Sequence, residues 1–146
     1  MNSPTAEETP VNDQSIEQEI QAKGLTAPRV TPQDIEANII QERYFTAADG
    51  LAGCELSTRL AVATTPLIVN PPCDGQKLAI DRDPLRLLTF CVLVLRNGFT
   101  VTGESACASP ANFNAEIGRK IARDNAVQKV WPLMGYALKQ QLHAES

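Results

Sequence analysis

The sequence predicts an α+β domain: a small antiparallel β-sheet centred on a β-hairpin at about 87–105, packed by three or four α-helices. Three observations carry this. Leu87 to Leu95 is a mostly apolar run, and Thr100 to Ser105 is a second strand-like run. Asn97-Gly98 lies between them, the strongest short hairpin signal, because Asn and Gly best tolerate the positive φ of a type I′ turn. Apolar residues recur at helical spacing on both sides of the hairpin: Ile35, Ile39, Ile40 and Tyr44 before it, Phe113, Ile117 and Ile121 after it.

A two-residue turn at Asn97-Gly98 also fixes the register, setting Arg96 opposite Phe99, Val94 opposite Val101 and Val92 opposite Gly103. Alternation then puts Phe90, Val92, Val94, Phe99 and Val101 on the core face. Thr89, Cys91, Leu93, Leu95, Thr100, Thr102 and Glu104 fall on the other. Helix 110–131 is expected over the Phe90/Val92/Val94/Val101 face. Leu93 and Leu95 are left for a second layer or a partner, and a homodimer through them is an expectation. Gly103 marks a bulge or a place where a helix packs closely.

The other elements follow in order. Residues 1–14 are rich in Pro, Thr, Glu and Asn and are expected to be disordered. Ser15 to Lys23 fits a short helix stopped by Gly24. Thr31 is a good N-cap, Pro32 suits the first helical position, and Asp34 meets the helix dipole, so a helix is predicted over 32–45. Asp49-Gly50 closes it. Residues 51–84 are expected to hold short strands or a loop: Leu60 to Ala63, Leu67 to Val69 and Lys77 to Ile80, interrupted by Pro66, Pro71-Pro72 and Asp74-Gly75. Ser109-Pro110 opens the next helix, whose stripe continues through Ala126, Val127, Val130 and Trp131. Pro132 ends or kinks it, and a last helix runs over 133–143.

Composition excludes several classes. No apolar run approaches the ~20 residues of a membrane span, and the acidic N-terminus lacks the charge and apolar regions of a signal peptide. A cytosolic protein with no membrane partner is expected. The net charge of −4 is uneven: residues 1–49 carry nine acids and three bases, residues 50–146 eight acids and ten bases. An acidic tail on a mildly basic body suits an anionic partner or an autoinhibitory tail, although such blocks are usually just solvated. Cys54, Cys73, Cys91 and Cys107 show no Cys-x-x-Cys pair, and His143 is the only histidine. Neither a metal site nor a cofactor is expected, and the cysteines are read as free thiols.

Three constellations merit weighing. Cys107 sits between the sheet and the expected helix N-terminus, where a thiolate is stabilised; Glu104 and His143 are the only bases on offer. The competing reading is a small residue filling a tight turn, and the absence of a dedicated base and orienting group favours it. No phosphate-loop motif accompanies Gly103. Arg119, Lys120, Arg123 and Lys129 offer a phosphate-contacting stripe on one helix, against the simpler reading of a solvated face with charge partly paired by Glu116 and Asp124. Trp131 and Tyr136, around Pro132, offer an aromatic corner for a partner, against a core corner between two helices.

Several separated blocks carry a resemblance. Asn97 to Cys107 is followed by Asn112-Phe113, Glu116-Ile117-Gly118, Ala122, Trp131-Pro132-Leu133 and Gly135-Tyr136; Asp34 to Ala37 and Tyr44-Phe45-Thr46 precede them. Over about residues 30–143 the chain resembles the small tailed-bacteriophage protein family named after gene products of coliphage N-four and a Shigella phage. Residues 51–84 look like an insertion and 1–29 like a variable, largely disordered acidic tail, leaving 30–146 as a single domain. The resemblance implies a phage or prophage origin and the host bacterial cytoplasm. It implies no activity, ligand or catalytic residue.

The expectation is a non-enzymatic accessory protein that binds a host protein, using Leu93, Leu95, Trp131 and Tyr136, and modulates host physiology or defence. A nucleic-acid-binding accessory protein using Arg119, Lys120, Arg123 and Lys129 is the alternative, and a small cysteine-dependent enzyme the next.

Overall fold

The computed structural model describes residues 12–64 and 83–146. The strands expected at 67–69 and 77–80, and the start of the tail, lie outside them. Along the chain run α1 (Asp13–Ala22), α2 (Pro32–Asn38), β1 (Ile39–Thr46), α3 (Ala47–Thr64), α4 (Asp83–Arg86), β2 (Leu88–Leu95), β3 (Thr100–Ala106) and α5 (Ala115–Ala144). They divide into two units: Ile39–Lys129, and the residues on either side of it.

The central unit is an antiparallel sheet in the order β1-β2-β3. The expected α+β class holds, and the hairpin lies where the sequence places it. Its turn differs. No non-glycine residue among those described has positive φ, so Asn97 cannot occupy a type I′ turn; within the loop Gly98 alone has positive φ, at +83°. The loop has three residues. Leu95 N–H donates to Phe99 O at 2.9 Å, Gly98 N–H donates to Leu95 O at 2.8 Å, and the Asn97 side chain accepts from Phe99 N–H. The extra residue moves the register by one, pairing Leu93 with Val101 and Cys91 with Gly103.

A one-residue slip exchanges the two faces of a strand. The inner face therefore carries Thr89, Cys91, Leu93, Leu95 and Val101, all buried. Phe90, Val92 and Val94 are half-buried on the outer face, where Phe45 stacks on Phe90 at 5.5 Å. This corrects both the expected core face and the expected seat of the long helix. α5 lies on the inner face through small residues: Gly118, Ala122 and Ala126 are buried, while Ile117 and Ile121 are exposed. Leu93 is 0% exposed and Leu95 3%. The protein's own packing thus uses the side chains expected to bind a partner or a second copy.

Two further elements depart from expectation. The helix predicted over 32–45 stops at Asn38, and residues 39–46 form β1, paired along its length with β2 through a bulge at Ile40. Ile39, Ile40, Tyr44, Phe45 and Thr46 are β-branched or aromatic, and the pairing strand exploits that preference. The strand expected at Leu60–Ala63 belongs instead to α3. Thr46 begins α3 with a capping box: its hydroxyl accepts from Asp49 N–H at 3.1 Å, and the Asp49 carboxylate accepts from Thr46 N–H at 2.9 Å. Asp49 therefore opens a helix rather than closing one.

In the other unit, Asn12 and Ser15 form the capping box of α1, and Thr31 and Asp34 that of α2. Gly24, at φ +66°, follows α1. Glu17 is buried and bonded by Arg29 and Gln21, while Ile35 and Val130 are fully buried. Ser109-Pro110 starts only a short 3-10 turn; Asn114 caps α5 by accepting from the N–H groups of Glu116 and Ile117. α5 runs through Pro132 unbroken, so the two helices expected at 110–131 and 133–143 are one from Ala115 onward. A proline forfeits one helix hydrogen bond, and the turn before it carries the fully buried Val130.

Candidate functional site

The polar centre of the sheet unit forms where β1 faces α5. Alternation turns Glu42, Tyr44 and Thr46 to the inner face, opposite Leu93, Cys91 and Thr89. Arg123, on α5, donates to Glu42 Oε1 from Nε at 2.9 Å and from Nη2 at 2.7 Å. The Tyr44 hydroxyl donates to the second oxygen, Oε2, at 2.9 Å. Both oxygens of this half-buried carboxylate are thus engaged. The Arg123 bonds hold the Glu42 carboxyl below its ordinary range, against the opposing effect of burial. Burial first, and then the bond to Glu42, push the Tyr44 phenol well above its ordinary range; burial also raises the Cys91 thiol.

These shifts set a pH dependence. Glu42 is depressed, so its stabilisation is complete above the ordinary value of 4.5 and is lost as the pH falls below it. Tyr44 and Cys91 are raised, so theirs is complete below their ordinary values and lost as the pH rises past them. Replacing Arg123 by methionine should cost about 1 kcal/mol at neutral pH, because the ion pair is partly solvent-screened. The deficit should shrink as the pH falls below 4.5, where Glu42 protonates in both proteins. Urea unfolding at stepped pH measures it; a constant deficit would deny the Glu42 pairing.

A cavity of about 390 Å³ opens beside this network, lined by residues including Tyr44, Asp49, Phe113, Ala115 and Arg119. A second, of about 480 Å³, is lined by Pro84, Leu87, Leu88, Ala106, Cys107, Ala108 and Pro110. Among the described residues lining it, Cys107 is the only titratable group. The thiol donates to Ser109 O at 3.1 Å, and Glu104 is engaged elsewhere, with Lys129 and Thr102. Among the described residues of the sheet unit no base is bonded to this thiol. Cys91 and Cys107 are free thiols, whereas Cys54 is disulfide-bonded. The free-thiol expectation is corrected there, since linear spacing does not reveal which cysteines a fold brings together.

The four basic residues of the expected phosphate stripe do not form one surface of unpaired charge. Lys120 pairs with Glu116 at 2.9 Å, Arg123 with Glu42, and Lys129 with Glu104 at 3.3 Å. Arg119 alone has no carboxylate partner among the described residues, and it lines the first cavity. In the other unit the Trp131 indole N–H donates to Asp13 at 3.1 Å, so Trp131 is half-buried and held, while Tyr136 is 69% exposed. Among the described residues no group of three or more His, Cys, Asp or Glu side chains is placed to hold a metal ion. No helix there is long and apolar enough to cross a membrane.

Spacing reveals the Glu116–Lys120 pair but not the meeting of Glu42 and Tyr44 with Arg123, because both lie in the segment whose spacing fits a helix. No curated protein and no solved structure matches the chain. The model of the phage protein (N4 Gp49/phage Sf6 gene 66) family matches residues 30–142, a span that takes in β1, the hairpin, the Glu42–Arg123 network and nearly all of α5. The chain therefore belongs to the N4 Gp49/Sf6 gene 66 family of phage proteins.

Proposed function

We propose that this phage protein is a non-enzymatic accessory protein that binds a host protein in the bacterial cytoplasm and so modulates host physiology or defence. One observation carries the reading. α5 pairs three of its cations with the protein's own carboxylates and turns large apolar side chains to solvent, Ile117 at 56% and Ile121 at 46% exposure, one turn apart. A helix built to follow a phosphate backbone presents unpaired cations; one built for a protein surface presents apolar anchors. The Cys107 cavity, with no base beside the thiol among the described residues, gives little support to cysteine chemistry.

The test is capture from a host bacterial lysate by the tagged protein, with and without nuclease. A host protein should survive nuclease treatment and be lost when Ile117 and Ile121 are both replaced by serine. That double variant should unfold within about 1 kcal/mol of the parent, since both side chains are largely exposed. Retention of nucleic acid, or loss of every partner after nuclease, would transfer the function to Arg119 and the basic residues around it.

A further inference from the structure

The two edges of the sheet are treated differently. Leu95 bonds to the β3 side, through Gly98 and Phe99, so alternate β2 residues from Leu95 back to Thr89 bond to β3, and Val94, Val92 and Phe90 bond to β1. The register then fixes which backbone groups point away from the sheet. On β3 they belong to Thr100, Thr102, Glu104 and Ala106, and α5 covers the two central carbonyls: Lys129 Nζ donates to Thr102 O at 2.7 Å, and Asn125 Nδ2 to Glu104 O at 2.8 Å. On β1 they belong to Glu42, Tyr44 and Thr46. Thr46 N–H is taken by Asp49, and Glu42 O accepts only a 3.3 Å bond from the exposed Arg43 side chain. Among the described residues nothing pairs with the outward N–H and C=O of Tyr44. An edge left open beside one that is covered is a template for another strand.

The 390 Å³ cavity borders that open edge. A strand added to β1 would send alternate side chains to the inner side of the sheet, over Tyr44, Phe113 and Ala115 and toward Arg119. The carboxylates lining the cavity are already engaged, Glu42 by Arg123 and Tyr44, Asp49 by Thr46. Two cations line the cavity; Arg43 lies opposite Val92 on the outer face, so Arg119 is the one on the inner side to meet a ligand.

We infer that β1 takes up an extended peptide carrying an acidic side chain as a fourth strand, with the acid directed to Arg119. The inference rests on the reading above in one respect, that the partner is a polypeptide, and it uses a surface other than Ile117 and Ile121.

The probe is the acetylated and amidated peptide Thr-Val-Glu-Val-Thr, added to the full ¹⁵N-labelled chain. The backbone amides of Glu42 and Tyr44 should shift. Affinity should fall about fivefold for the peptide with lysine at its centre, and equally for Arg119→Glu, which is what one exposed ion pair supplies at most. A peptide N-methylated along one edge should give no shift, because the backbone bonds are gone. Ala115→Trp, at an exposed position that fills the cavity, should abolish binding with the fold intact. Unmoved β1 amides, or equal shifts from the N-methylated peptide, would overturn the inference. A dimer by light scattering that Ala115→Trp dissociates would also overturn it, making a second copy the occupant. Host-protein capture unaffected by Ala115→Trp sinks strand addition alone, whereas peptide shifts without any capture sink the host-protein reading alone.

Discussion

Gly103→Ala is expected to destabilise the protein by at least about 3 kcal/mol, and Gly103→Val to prevent folding. A methyl group at Gly103 would meet the carbonyl oxygen of Ala122 and the amide nitrogen and Cα of Ala126, the last at 2.9 Å. These are backbone atoms of α5, so no rotamer change relieves the clash and the helix itself must move off the sheet. Such a movement would open the contact along Gly118, Ala122 and Ala126, where Gly118 already sits 3.1 Å from the Thr89 hydroxyl oxygen, measured from the Cβ it lacks. Closely packed interiors transmit a displacement of that kind rather than absorb it. Gly53→Ala is the control. It lies inside α3 with no described residue within 4 Å of its absent Cβ, and helix propensity should stabilise it by up to about 1 kcal/mol. Urea unfolding followed by circular dichroism reads both. A Gly103→Ala variant as stable as the parent would mean that α5 does not rest on this strand.

Gly103 was legible as a place of close helix approach, but its partner was not. Hydrophobicity points to Ile117 and Ile121 as the buried stripe of α5, because they are the largest apolar side chains at helical spacing. What packs against a bare glycine is the row of small residues, Gly118, Ala122 and Ala126, each four residues from the next. That row allows backbone to approach backbone and leaves the isoleucines to solvent. Size pattern, not hydropathy, was the informative signal. Locally encoded features were readable in the same way: the Thr31 cap, the Gly24 stop and the Glu116–Lys120 pair depend on residues within one turn. The capping box of Thr46 and Asp49 was equally local and was obscured by the Asp49-Gly50 pair, which imitates a helix end.

Long-range pairing set the rest. The spacing of Ile35, Ile39 and Ile40 fits a helix, yet residues 39–46 become a strand because β2 offers a partner along their whole length. Glu42 and Arg123 lie 81 residues apart, and nothing local announces that they meet. The candidate site was therefore invisible for a definite reason. Its floor is a strand whose identity depends on another strand, and its polar centre depends on the face that strand turns toward α5.

The face each β2 side chain occupies decides what a charge there costs. Leu93→Asp should cost more than about 4 kcal/mol and leave little folded protein, whereas Val92→Asp, its neighbour in the chain, should cost about 1–2 kcal/mol. Leu93 is fully buried, opposite Val101 and Glu42, so an aspartate there would be desolvated beside an existing carboxylate and could not reach water. Val92 is half-buried on the outer face, opposite Arg43 and Thr102, where an aspartate keeps part of its hydration and faces a cation across the strand. A two-residue Asn97-Gly98 turn would reverse this order, because it pairs Val92 with Gly103 and turns Leu93 outward. The pair of variants therefore reads the length of a turn from the stability of residues three and four positions before it. Equal midpoints in urea, or Val92→Asp as the less stable of the two, would reject the three-residue loop. They would also reject the outward-pointing backbone groups of Glu42 and Tyr44 on which strand addition to β1 depends.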